Sequence, residues 1–114
     1  MIADERCILL IGELANQRVG MVRFDLSNDQ KGTGLRGLVN INIAPDVRGR
    51  GYGKILLEDA INDLGSGVSL LEAVVLDTNW SSRRLFESLD FKPIKQTENL
   101  ISYERLVIDD LKDR

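Results

Sequence analysis

The 114-residue chain contains no histidine. That absence removes the Ser-His-Asp triad, the Cys-His nucleophile pair, the His-ligated zinc and the haem-iron histidine. Cysteine is nearly absent as well: Cys7 is alone, so neither an internal disulfide nor a Cys-x-x-Cys centre can form, which fits a reducing cytoplasm. Cys7 itself reads as a small apolar strand residue rather than a reactive thiol. No apolar run approaches the ~18 residues of a membrane-spanning helix, and the first residues are too charged for a signal peptide. The expectation is a cytoplasmic domain without a membrane partner. Basic residues are not in excess either: Lys+Arg is 15 against 18 Asp+Glu, a net charge of -3, which argues against a nucleic-acid partner held by phosphate neutralisation. The 43% hydrophobic content supplies one core, and no repeat, low-complexity tract or linker divides the chain, so residues 1–114 read as a single domain.

The apolar pattern lays out the elements. Cys7 to Ile11 and Arg18 to Leu26 read as a strand pair turning at Leu14-Ala15-Asn16-Gln17, the second with Val19, Met21 and Arg23 on one side. Residues 27–34 have turn composition. In Leu35 to Ala44, Val39, Ile41 and Ile43 share one face and Asn40 and Asn42 the other, a central strand that Pro45 stops. Leu56, Leu57, Ala60, Ile61 and Leu64 make a helix stripe ending at Gly65. Val68 to Leu76 is nearly all apolar and reads as a strand buried on both faces. Asp77-Thr78-Asn79 supplies capping chemistry for a helix striped by Ser82, Leu85, Phe86 and Leu89. Phe91 to Ile94 and Leu100 to Ile108 complete a β-β-β-α-β-α-β-β order, a mixed α/β sheet, with the last six residues as a frayed tail.

The stretch Arg48-Gly49-Arg50-Gly51-Tyr52-Gly53 lies between a strand and a helix. Amides at a helix N-terminus lack intrahelical partners and carry partial positive charge, and glycines let a phosphate come close to them. Arg48, Arg50 and Lys54 add three cations with no acid among residues 48–54, a local reversal of the chain's overall sign. A glycine turn with solvated arginines is the plainer reading of the same residues. The stretch is neither a P-loop, which needs Gly at position 48 and a hydroxyl after the lysine, nor a dinucleotide fingerprint, which needs a third glycine where Lys54 or Leu56 stands.

It resembles the Arg/Gln-x-x-Gly-x-Gly/Ala signature of the GNAT superfamily of N-acetyltransferases. Ile43-Ala44-Pro45-Asp46 is similar to that family's lead-in, and Asn79 through Phe91 to its second signature, an Asn before a helix that ends in Gly-Phe. The likeness covers roughly residues 7–108. It implies a GNAT-like mixed sheet flanked by helices, with acetyl-CoA as co-substrate and no metal. The amides from Val47 to Lys54 (Val47, Arg48, Gly49, Arg50, Gly51, Tyr52, Gly53 and Lys54) would hold the pyrophosphate. The pantetheine arm would lie where the central strand splays from Val68–Leu76, with the Ile43 N–H facing the thioester oxygen. Asn79 and Ser82 would touch the far side of the arm, although plain helix capping explains them equally well.

Three departures from the family pattern matter most. Phe86 stands where the family's tyrosine acid would be, and Val39 and Ile41 stand where its glutamate base would be. Asp25 and Asp77, at expected strand ends, are the remaining candidate bases, each readable as a turn or capping residue. Full members begin with a strand and two helices that nothing before Cys7 supplies, so the chain is either part of a longer protein or has that sheet face covered by another copy, as in a homodimer, or by a partner. Asp90 replaces the family's glycine, a small change because aspartate tolerates positive φ. Val19 to Asp25 with Val39 to Pro45 is similar to acetyltransferases of bacterial nucleotide-sugar pathways, which implies a small-molecule amine acceptor, a nucleotide sugar. A CoA-binding module without turnover, and a domain that only helps a partner assemble, are the alternatives.

Overall fold

The computed structural model describes residues 6–28, 34–64 and 67–107. Six strands form one mixed sheet in the order β1-β2-β3-β4-β6-β5, from β1 (Arg6–Leu14), β2 (Gln17–Asn28), β3 (Leu35–Ile43), β4 (Val68–Leu76), β5 (Lys92–Thr97) and β6 (Leu100–Leu106). Helix α1 (Tyr52–Asn62) connects β3 to β4 and α2 (Trp80–Ser88) connects β4 to β5. The β3–β4 pair is parallel and every other pair antiparallel. The element order is the one the sequence predicts. Most of the 27–34 loop, Gly65, Ile108 and the tail lie outside the described residues.

Local chemistry accounts for the joints. Ala15 and Asn16 both take positive φ (53° and 68°) between the paired residues Leu14 and Gln17, the conformation that two-residue hairpin turns require. Pro45 opens a single 3-10 turn, Pro45–Val47, because it ends the ladder yet suits a first helical position. Helix α2 closes with Asp90 at φ 69°, where Phe91 N–H bonds Phe86 C=O at 3.0 Å and Asp90 N–H bonds Glu87 C=O at 3.3 Å. This is a glycine-type helix end that aspartate fills.

Both helices cover the same face of the sheet. Val22, Phe24 and Leu26 of β2, Val39 of β3, and Leu71, Ala73 and Val75 of β4 meet Leu57, Ala60 and Ile61 of α1 and Phe86 and Leu89 of α2 in one buried cluster. Full burial of each large apolar side chain there is worth roughly 1.5–3 kcal/mol. The buried row of β2 is thus Val22-Phe24-Leu26, while Arg23 lies exposed and pairs with Asp25 at 3.2 Å. Strand β4 corrects the reading of a strand buried on both faces: Val74 is 53% and Leu76 48% exposed. No described element packs on that side of the sheet, and the apolar run is buried only where helices cover it. Exposed Cys7, Leu9, Ile11 and Leu38 belong to the same open face.

Tyr103 anchors α2 to β6. Its hydroxyl donates to Glu87 Oε2 at 2.7 Å, and its ring stacks on Phe86 at 6.2 Å. Burial, and then the neighbouring Glu87 carboxylate, push its phenol above the ordinary value of 10.0. A folded-state value raised above the unfolded one leaves stability intact below about pH 10 and removes it as pH climbs towards the folded value. Tyr103→Phe should flatten that alkaline decline in urea unfolding measured between about pH 8 and 11; an unchanged slope would contradict this account.

Candidate functional site

The parallel β3–β4 ladder runs only from Leu35↔Val68 to Leu38↔Glu72. Beyond it the strands part, each still paired on its outer side: β3 to β2 as far as Ile43, and β4 to β6 as far as Leu76. The ladder geometry shows where the backbone groups of β3 point. Ala44 N–H bonds Val19 C=O at 2.8 Å, towards β2, whereas Leu35 N–H bonds Gly67 C=O at 2.9 Å, towards β4. Bonding direction alternates along a strand, so the N–H and C=O of Ile41 and Ile43 face the opening between β3 and β4. The Ile43 carbonyl accepts a hydrogen bond from Arg48 Nε at 2.9 Å, consistent with that direction.

A cleft of about 730 Å³ lies beside this opening, between the end of β3 and the two helices, within the usual range of small-molecule sites. One wall is the end of β3 and the loop into α1: Ile41, Asn42, Ile43, Val47, Arg48, Gly49 and Gly51. Gly49 and Gly51 take φ of 79° and 84°, left-handed geometry in which glycine is nearly strain-free. The helix then begins at Tyr52. Its first intrahelical bond runs from Ile55 N–H to Gly51 C=O at 3.3 Å, so the amides of Tyr52, Gly53 and Lys54 have no acceptor within the helix. The glycine at position 53 leaves the floor open, since a Cβ there would stand 3.6 Å from both Ile43 and Leu85.

The other wall is α2. Asn79 caps it, accepting the Ser82 N–H at 3.1 Å, and Ser81, Ser82, Arg84, Leu85 and Ser88 line the cleft. The lining carries Arg48, Lys54 and Arg84 and, among the described residues, no Asp or Glu. The sheet and the two helix N-termini therefore build a cationic, amide-rich slot suited to an elongated anion.

Of the site residues expected from sequence, Ile43, Val47, Arg48, Gly49, Gly51, Tyr52, Gly53, Lys54, Asn79 and Ser82 come together in this cleft. Arg50 does not: it stands exposed between the two left-handed glycines, outside the lining. The amides of Val47 and Arg48 are engaged in the 3-10 turn, donating to Ala44 C=O at 3.1 Å and Pro45 C=O at 3.5 Å. Asp25 is also outside the cleft. It sits opposite Leu38, where β3 and β4 are still paired, and bonds Arg23. Asp77 faces the β5–β6 end, with Gln96 Nε2 at 3.5 Å from its carboxylate, its N–H on Asn99 C=O and its C=O on Arg83. Phe86 is 4% exposed, packed edge-on against Phe91 with centroids 5.0 Å apart, and belongs to the core. Sequence reasoning missed Ser81, Arg84 and Ser88; their i, i+3, i+7 spacing was the available signal.

Comparison with known proteins agrees with this fold. Residues 4–93 match the family model described as acetyltransferase (GNAT) domain. The search of curated proteins found no match. Among solved structures, the chain is similar to an acetyltransferase of the GNAT family from Streptococcus pneumoniae, with TM-score 0.74 and 19% identity over 89% of this chain and 67% of that one. It is similar to the ribosomal-protein-alanine N-acetyltransferase of Brucella melitensis, with TM-score 0.74 and 21% identity over 87% and 68%. It is also similar to the N-acetyltransferase PseH of Campylobacter jejuni in complex with acetyl coenzyme A, with TM-score 0.72 and 19% identity over 91% and 70%. With most of its length matched by the family model, and with the strand opening and glycine-led helix described above, the chain belongs to the GNAT acetyltransferase domain family.

Proposed function

We propose that this domain transfers acetyl from acetyl-CoA to a primary amine by direct attack. The observation that carries this reading is the opening of β3 from β4 directly beside the free amides of Tyr52, Gly53 and Lys54. The diphosphate of acetyl-CoA lies on those amides, near the Gly49 and Gly51 turns and Lys54. The pantetheine arm runs into the opening and pairs with the gap-facing groups of β3 that Arg48 leaves available, the Ile43 N–H among them, flanked by Asn79 and Ser82 on α2. Arg48 acts from beneath, its guanidinium strapping the loop to the end of β3.

In the chemical step the amine lone pair attacks the thioester carbon. The carbonyl oxygen gains charge against the Ile43 N–H, a donor of a kind whose removal costs about 3 kcal/mol of transition-state stabilisation. The C–S bond then breaks with the electron pair on sulfur. A thiol whose pKa is near the ~8.5 of free cysteine leaves as thiolate without an acid, so Phe86 in the tyrosine position does not forbid turnover. With Asp25 and Asp77 outside the cleft, the proton of the attacking amine passes to water. Cys7, exposed on β1 away from the lining, is no acyl carrier. The acceptor class is an amino-sugar nucleotide, on the similarity of Val19–Asp25 and Val39–Pro45 to enzymes of that chemistry.

A second reading is favoured by a specific observation: no carboxylate lines the cleft among the described residues, as in a domain that holds CoA without turnover. One pair of assays separates the two. Both readings require acetyl-CoA to raise the melting temperature, and only the enzyme releases free thiol with a panel of amino-sugar nucleotides and simple amines. Thiol release with no member of the panel, in a protein that is stabilised by acetyl-CoA, selects the binding module; no stabilisation defeats both. The open face and the β1 edge, with Leu9 and Ile11 exposed and no Pro or Lys in the strand, also support burial of this region by a second copy or by further chain.

A further inference from the structure

We infer that Arg84 reads a second anionic group of the CoA nucleotide, the phosphate on its ribose, and so makes the site distinguish CoA from 3′-dephospho-CoA. The inference rests on acetyl-CoA occupying the cleft as proposed above. The amides at the start of α1, with Lys54 beside them, suffice for a diphosphate, because helix N-terminal N–H groups and one point charge complement its oxygens. Arg84 is on the opposite wall, on α2, and lines the same cleft. It is surplus to a diphosphate site and suited to a separate dianion.

Among the described arginines of the cleft lining and of α2, Arg84 is the one without a hydrogen bond or ion pair, Arg48 being held by the Ile43 carbonyl. Arg83, one residue earlier, is consumed by the fold: its Nη1 donates to Asp77 C=O at 2.8 Å and its guanidinium lies 4.2 Å over the Trp80 ring. Arg105 donates to Leu89 C=O at 3.0 Å. Among the described residues, neither of the two ion pairs (Arg23–Asp25 and Arg36–Glu72) involves Arg84. Its immediate lining neighbours on α2, Ser81 and Ser88, stand one turn away on either side and offer hydroxyls rather than competing charge. A planar guanidinium with free edges binds a phosphate in a bidentate manner that a lysine cannot reproduce.

The experiment compares CoA and 3′-dephospho-CoA by calorimetry at low salt, with the wild-type chain, Arg84→Ala and Arg84→Lys. The wild type should bind CoA roughly ten-fold tighter than the dephospho form, as one charge-assisted contact provides. Arg84→Ala should bring the two affinities within about two-fold, by weakening CoA far more than dephospho-CoA. Arg84→Lys should restore only part of the preference. Arg84 is exposed, so the variants keep the fold. A wild type without preference, or a preference that survives in Arg84→Ala, overturns the assignment. If the wild type binds neither nucleotide, the occupancy reading falls first and this assignment falls with it.

Discussion

Gly53→Glu should yield a protein at least as stable as the wild type that no longer binds acetyl-CoA. The two effects have opposite signs because one position serves two purposes. Gly53 is the second residue of α1, where glutamate improves on the helix propensity of glycine by up to about 1 kcal/mol and its carboxylate complements the helix dipole by roughly 0.3–1 kcal/mol. A Cβ finds only ordinary contact distances to Ile43 and Leu85, 3.6 Å each, so the fold admits the side chain. The carboxylate then stands in the slot where the diphosphate approaches the amides, adding both bulk and like charge. The affinity for acetyl-CoA should fall by about 100-fold or more, the scale of losing two charge-assisted contacts. Calorimetry with a thermal melt reads both; retained affinity in a folded Gly53→Glu protein would remove the diphosphate from this slot.

Gly20→Val attacks the same site from behind, and its expected effect is on stability first. Gly20 lies on β2 opposite Ile43. A Cβ there would approach the Asn42 carbonyl oxygen to 2.6 Å and the Ile43 Cδ1 to 2.8 Å. The first of these is backbone and cannot rotate away, so the end of β3 must move or the pairing must break. Overpacking of this kind costs about 3 kcal/mol or more, which for a chain of this size lowers the melting temperature by roughly 10 °C or more. Acetyl-CoA should rescue little of it, because the displaced segment is the wall that presents the Ile43 N–H. A Gly20→Val protein with unchanged Tm would mean that the close approach of the β2 and β3 backbones is not as described.

Sequence alone carries the fold wherever the pattern is local. Pro45 ends β3, the Leu57-Ala60-Ile61 stripe builds α1, and Asn79 caps α2, each through chemistry within a few residues. The glycines at 49 and 51 are legible for the same reason, since left-handed turns select them. Properties that depend on distant elements are not legible. Val74 and Leu76 look like core residues in a continuous apolar run, and their exposure follows from both helices packing on the opposite face. Asp25 and Asp77 are carboxylates at plausible strand ends, but register fixes Asp25 beside the closed part of the β3–β4 ladder, and the β5–β6 end claims Asp77. The row Ser81-Arg84-Ser88 has helical spacing in the sequence. Which way the row turns is decided by Phe86 and Leu89 entering the core, a long-range matter. The strap from Arg48 to the Ile43 carbonyl is equally a product of the turn at Pro45 bringing the two together.

The most direct test of the account is an acetyl-CoA titration followed on the backbone amides by two-dimensional 1H–15N NMR. The amides of Tyr52, Gly53, Lys54 and Ile43 should show the largest shifts and saturate together with a single Kd. Saturable binding of acetyl-CoA that leaves those four amides unmoved would contradict the claim that the start of α1 and the end of β3 hold the co-substrate.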